Sequence, residues 1–212
     1  MPRPSRSQRD KAVDSRLAIL SVARDLFARQ GYFATSIQDI AREARLNKAM
    51  IYYYFENKED LYLCVIREDF QGLLDLWDDK YFAGTASSMN KVRRFLDRYF
   101  DFLDSHPELV MIVSREMSGQ TAHLKWIVEN YLQRNFINLF ALVVEGVNRG
   151  EFRDVNPLLT ARSILAMIIF YFSSRPVIRL YQNNPLVESS KNEFIGHLID
   201  LLSKGITNEK GT

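Results

Sequence analysis

Cysteine is nearly absent: Cys64 is the only one in 212 residues. A lone thiol excludes an intramolecular disulfide framework and a cysteine-rich zinc site, and it fits a reducing, cytoplasmic setting. Histidine is almost as scarce. His106, His123 and His197 lie far apart, and no HExxH, CxxC or paired-His spacing occurs. A glycine-rich phosphate loop and a GxSxG elbow are both missing. These gaps argue against an enzyme: no catalytic residue is assigned, and neither a metal nor a cofactor is expected. Long apolar runs are missing too. None reaches about 18 residues, and the polar, basic start is unlike a signal peptide, so no membrane partner is expected.

What is present describes an ordinary soluble chain, with 47% hydrophobic and 25% charged residues and length for one or two domains. The net charge of +2 hides an asymmetry. Residues 1–55 carry 10 Lys/Arg against 5 Asp/Glu, whereas residues 56–212 carry 18 against 21. A positive first quarter on a slightly acidic remainder suggests one surface made for a polyanion.

That quarter also holds the most informative stretch, SIQDIAREARLNKAMIYYYFENK, residues 36–58. Ser36 caps a helix with Asp39 in the reciprocal position, and Ile37, Ile40, Ala41 and Ala44 form its apolar stripe. After a turn at Arg45-Leu46, Asn47 caps a second short helix, Lys48 to Tyr54. It buries Ile51 and leaves Lys48, Ala49, Tyr52 and Tyr53 outside, a face of one cation and aromatics suited to a DNA major groove. Asn57 and Asp60 then cap the next helix.

Around this stretch the periodicity predicts helices throughout. Residues 1–14 form a flexible basic arm. Helix 1 covers about 15–30, with Ile19, Ala23, Leu26 and Phe27 buried, Gly31 as its stop and Tyr32-Phe33 packing back. Helix 4 starts at Lys58 and is expected to reach Phe82 without a linker, as a mechanical connection. Helices follow at about 89–104, 107–118, 121–149, from Asn156-Pro157 to a kink or end at Pro176, and 188–204. In the penultimate one, ILAMIIFYF (residues 164–172) is apolar all round, so one side faces the core and the other a second subunit. Ile164, Ile168, Ile169 and Phe172, with Phe194, Leu198 and Leu201 of the last helix, are the expected homodimer interface.

The segment TSIQDIAREARLNKAMIYYYFENKEDL resembles the DNA-binding segment of the TetR family of bacterial regulators over residues 16–62. The match lies in the Thr-Ser helix start, the Ala-containing helix, the Asn-Lys turn, the Ile-Tyr-x-x-Phe recognition helix and the Lys that opens helix 4. The resemblance implies an all-α fold of about nine helices. A helix-turn-helix domain (15–57) would be joined by a long helix to a helical effector-binding and dimerisation domain (58–212). It further implies a repressor released from a palindromic double-stranded DNA operator by a small-molecule effector. By the same carry-over Lys48, Ala49, Tyr52 and Tyr53 meet bases, Thr35, Ser36, Tyr54 and Lys58 hold phosphates, and Arg45 and Asn47 at the turn complete the DNA-binding set. One departure stands out: Arg45 occupies the turn where most members have Gly. Either the turn differs, or Arg45 is held by a partner such as a phosphate. For the effector, the aromatics and methionines Phe70, Phe100, Met111, Met117, Tyr131, Phe140, Met167 and Tyr171 are candidates, with Arg115 the inward polar anchor. Two other readings stay open: a DNA-binding dimer that answers to no ligand, and a helical enzyme.

Overall fold

The computed structural model describes residues 6–77, 82, 84, 86–119, 121–181 and 189–207, with the backbone alone over 6–13. Helix α1 (Arg6–Ala34) starts earlier than expected, so the part of the arm from Arg6 onward has helical backbone. Its Arg, Gln, Lys and Ala are good helix formers, and extending an existing helix avoids a new nucleation. Residues 1–5 of that arm lie outside the described residues. Gly31 interrupts α1 with φ 83°, a backbone state that costs a residue with a Cβ. The helical turn beyond it carries Tyr32 back onto the core and leaves Phe33 79% exposed, against the expectation that both rings pack.

Helices α2 (Ile37–Glu43) and α3 (Lys48–Tyr54) are placed by their caps. Ser36 and Asp39 exchange hydrogen bonds in a capping box, and Asn47 accepts from the Met50 amide at 2.8 Å. Ile40 and Ile51 meet Ile19, Ala23 and Phe27 of α1 in a small common core. Helix α4 (Lys58–Leu74), capped by Asn57, shares that core at its start and enters the second bundle at its end. It stops short of the expected Phe82. A 3-10 turn over Asp75–Trp77 follows, where the Arg98 guanidinium donates to the Asp75 carbonyl and Trp77 swings in to donate to Asn135 at 2.6 Å. Residues 78–81 lie outside the described residues.

The rest is a bundle of α5 (Ser88–Ser105), α6 (Pro107–Gly119), α7 (Ala122–Ile127), α8 (Gln133–Asn148), α9 (Pro157–Arg179) and α10 (Lys191–Ile206). A π-helical turn, Val128–Leu132, joins α7 to α8 in one continuous rod, so the described residues hold nine helical rods. Gly146 lets α8 close on the buried Phe152 ring: a Cβ there would sit 2.3 Å from it. Helix α9 runs through Pro176 to Arg179: the proline lacks the N–H that would bond back to Phe172, and only the last turn of the helix follows it. Among the described helices only α9 is long and apolar enough to cross a bilayer, but its inner side, Ala161, Ile164, Ile168 and Phe172, is core.

This burial corrects the expected interface. Ile164, Ile168, Phe172 and Leu198 lie inside one chain, whereas Ile169, Phe170, Val177 and Leu201 are exposed and Phe194 is half-buried. The outer seam of α9 runs through the exposed Ser163, Phe170 and Val177 and the half-buried Met167 and Ser174, spaced four and three residues alternately.

Candidate nucleic-acid interface and internal cavity

The solvent face of α3 carries Lys48, Ala49, Tyr52 and Tyr53, all exposed, with Tyr53 at 75%. Tyr54 turns partly inward onto Phe55 and meets the Tyr53 ring edge-on at 4.9 Å. One cation and two aromatic rings thus project from a helix fixed at both ends by local capping. Ser36 is exposed at the α2 start, with its hydroxyl engaged to Asp39.

Two expected phosphate contacts are corrected. Thr35 is 1% exposed, and its hydroxyl donates inward to the Gly31 carbonyl at 2.8 Å. The Lys58 ammonium donates to the carbonyls of Tyr32 at 2.9 Å and Thr35 at 3.0 Å, and it lies 4.2 Å from the Tyr32 ring centre. Lys58 therefore ties α4 to the α1–α2 junction, and desolvation lowers its pKa. Both residues make contacts that the repeat pattern of their own helices does not reveal.

Arg45 resolves the open question about the turn. Its φ is 55°, the only positive non-glycine φ among the described residues. The Leu46 amide donates to Ala41 at 2.9 Å and the Arg45 amide to Arg42 at 3.2 Å, the paired bonds of a Schellman ending. The turn is kept and the side chain carries the strain, about 1–2 kcal/mol. The exposed guanidinium has no partner among the described residues. Arg45→Gly is accordingly expected to stabilise the chain by about 0.5–1 kcal/mol, strain relief less the added freedom of the unfolded glycine. If Arg45 binds a phosphate, the same change lowers the slope of log K against log salt by about 0.9 per head. Thermal melts and salt titrations on operator DNA read the two effects separately.

Behind this head lies an apolar cavity of about 240 Å³. Its walls come from α4 (Phe70, Leu73), α5 (Tyr99, Phe102), α6 (Val113, Met117), the α8 start (Asn135, Phe136) and α9 (Leu165, Ile169). The Tyr99 hydroxyl, whose pKa burial raises, has no hydrogen-bond partner among the described residues, and Asn135 uses its carbonyl oxygen on Trp77. Of the expected effector residues only Phe70 and Met117 line this cavity. Tyr131 stacks behind Phe70 at 4.7 Å, and Phe140 packs on the core from α8. Phe100 meets Phe172 at 4.9 Å, and Tyr171 stacks on Phe194 at 4.1 Å. Sequence reasoning missed Tyr99 and Asn135. The signal was there in Asn135, an amide in an otherwise apolar helix stripe.

Arg115 is also corrected. It does not point into the cavity or pair with Glu116; with Met111 it lines a groove between α6 and α9. Its guanidinium donates to the carbonyls of Ala28 (2.9 Å) and Arg29, which the break at Gly31 leaves open at the end of α1. The buried acid beside it, Glu116, accepts from the Tyr62 hydroxyl of α4 at 2.5 Å and from Thr121. Within the head, α1 and α4 are clamped by Arg24–Asp69 at 2.7 Å and Arg16–Glu68 at 3.0 Å. Asp69 is the residue before Phe70, so the clamp ends where the cavity wall begins.

Comparison with known proteins agrees with this arrangement. Residues 19–65 match the family model described as bacterial regulatory proteins, tetR family, and residues 89–202 match the tetracyclin repressor-like C-terminal domain. The chain is 26% identical over 203 residues to the transcriptional repressor NicS of Pseudomonas putida, covering 94% of each. To the repressor SCO4008 of Streptomyces coelicolor it is 31% identical, covering 75% of this chain and 80% of that one. The ketosteroid transcriptional regulator KstR2 of Mycobacterium tuberculosis shares the fold, with a TM-score of 0.75 at 21% identity over 92% of this chain and 95% of that chain. These relatives are named as regulators, not enzymes. The chain belongs to the TetR family and is a helix-turn-helix, DNA-binding transcriptional regulator.

Proposed function

We propose that this chain is a homodimeric, cytoplasmic repressor that leaves a palindromic operator when a small, mainly apolar molecule fills the cavity. Two heads, one per subunit, read the half-sites through Lys48, Ala49, Tyr52 and Tyr53. The outer seam of α9 and the outer face of α10 pair the subunits. The observation that carries the reading is the course of α4. One helix supplies Tyr62 to the junction, Asp69 to the clamp on α1 and Phe70 to the cavity wall. A ligand that moves Phe70 moves the head with it, because α1 and α4 are held together by ion pairs. Releasing a bound operator takes only a few kcal/mol of differential affinity between the two placements.

Selection of bound sequences from a random DNA pool tests the first half. It is expected to return an inverted repeat with a fixed spacing between half-sites. Lys48→Ala is expected to cost about 1–3 kcal/mol on the selected site and to relax selectivity at one position per half-site. Equal losses on specific and random DNA would remove the base-reading role. A thermal-shift screen of apolar small molecules, with operator affinity measured on each hit, tests the second half.

A further inference from the structure

The cavity has no charged residue among those that line it, and at about 240 Å³ it is smaller than most small-molecule sites. Beside it runs the groove between α6 and α9, about 280 Å³, and Val110 and Ser114 of α6 line both spaces. Together they fall within the range of about 300–1,000 Å³ usual for such sites. The groove has the chemistry that the cavity lacks. Arg115, Arg175 and Arg179 all line it, and no acidic residue does. Arg175 pairs with Asp104 at 2.7 Å and lies 4.3 Å from the Phe172 ring centre. Arg115 has only neutral carbonyl partners, and Arg179 has no carboxylate partner among the described residues. Three guanidinium groups against Asp104 and, in the adjoining groove that Arg175 and Arg179 also line, Glu193 still leave an excess of positive charge at the edge of an apolar space.

Resting on the effector reading above, we infer that cavity and groove are one site for an amphipathic carboxylic acid. Its apolar body lies against Phe70, Leu165 and Ile169. Its carboxylate lies among Arg115, Arg175 and Arg179, whose planar forks match a carboxylate bidentately. The cavity's volume corresponds to about eight waters, so the body is a short chain or a single ring rather than a long acyl tail. The acid also has a route to the head. A carboxylate is a stronger acceptor than a peptide carbonyl, so it competes for Arg115 with the end of α1.

The test is calorimetric titration with two matched pairs: octanoate with octan-1-ol, and 4-phenylbutyrate with 4-phenylbutan-1-ol. The acid of at least one pair is expected to bind about tenfold or more tighter than its alcohol, as a charge-assisted contact implies. Arg179→Gln and Arg175→Gln are expected to remove that advantage while leaving the alcohol's affinity unchanged. Leu165→Trp or, should that variant not fold, Ile169→Trp is expected to abolish binding of both. Equal binding of acid and alcohol, or an advantage that survives both arginine changes, overturns the inference and leaves the apolar cavity reading intact. Acid binding that survives the tryptophan also overturns it, since charge alone would then be recognised. Failure of all four compounds to bind removes both readings.

Discussion

Phe170→Glu is expected to give a folded monomer that has lost its operator. The ring is 72% exposed on the outer seam of α9, so the change removes no packing within one chain. In a pair related by a two-fold axis the seam meets itself, and each dimer takes the carboxylate twice. An isolated charge buried at such a seam costs several kcal/mol per copy. Ser163 and Ser174 stand a turn either side of the half-buried Met167 and of Phe170, so close approach of the two helices needs no large groups to move. Sedimentation equilibrium is expected to report monomers, with the circular dichroism of the parent. Operator affinity is expected to fall by about 10²–10⁴, because the second head no longer binds as a tethered partner. Ile168→Glu is the instructive contrast. That side chain is 0% exposed in one chain, so the charge is expected to unfold the bundle instead. A Phe170→Glu protein that remains dimeric and holds its operator would place the interface elsewhere.

The same pair of residues shows how far the sequence could be read. A stretch apolar around its whole circumference announces that two surfaces must cover it, and it does so without structural help. It has no phase, however, so nothing in ILAMIIFYF says that Ile168 faces in and Phe170 faces out. Caps behave in the opposite way. Ser36, Asn47 and Asn57 were legible because each bonds an amide three residues on. Contacts between distant segments were not legible. Lys58 meets carbonyls 26 and 23 residues away, and Arg115 reaches a helix end more than 80 residues earlier. Both look like free cations until the fold brings their acceptors to them. The cavity suffered for the same reason. Counting aromatics picked out Phe100, Tyr131 and Tyr171, which stack on one another or on neighbours, because ring content does not say which ring faces empty space.

Glu116→Ala is expected to lower the melting temperature and to divide unfolding into two steps. Glu116 is buried on α6, and Oε1 and Oε2 accept from Tyr62 on α4 and from Thr121 ahead of α7. The His123 ring fills the remaining side, with Nδ1 3.7 Å from Oε2 and ring centres 4.6 and 4.8 Å from Tyr32 and Tyr62. Burial first, and then Glu116, raise the pKa of the Tyr62 hydroxyl, so it acts as a donor throughout the accessible pH range. Removing the acid strands the buried Tyr62 hydroxyl, takes the acceptor from the half-buried Thr121 hydroxyl and opens a void, a loss of about 2–4 kcal/mol. At about 2–4 °C per kcal/mol for a chain of this size, the fall is roughly 5–15 °C. The site of the loss matters as much as its size. Tyr32 and Tyr62 belong to the head, Glu116 and His123 to the bundle, and a three-helix head is too small to be very stable alone. With this junction weakened, Arg115 on the α1 carbonyls is the main remaining polar tie from α6, and the head is expected to melt first. Calorimetry should then resolve two transitions where the parent has one. A cycle of Tyr62→Phe and Glu116→Gln supplies the quantitative check, with an expected interaction energy of about 1–3 kcal/mol between the two sites. Additive effects within about 0.5 kcal/mol, together with a single transition in Glu116→Ala, would mean that the Tyr62–Glu116 contact does not hold head and bundle together.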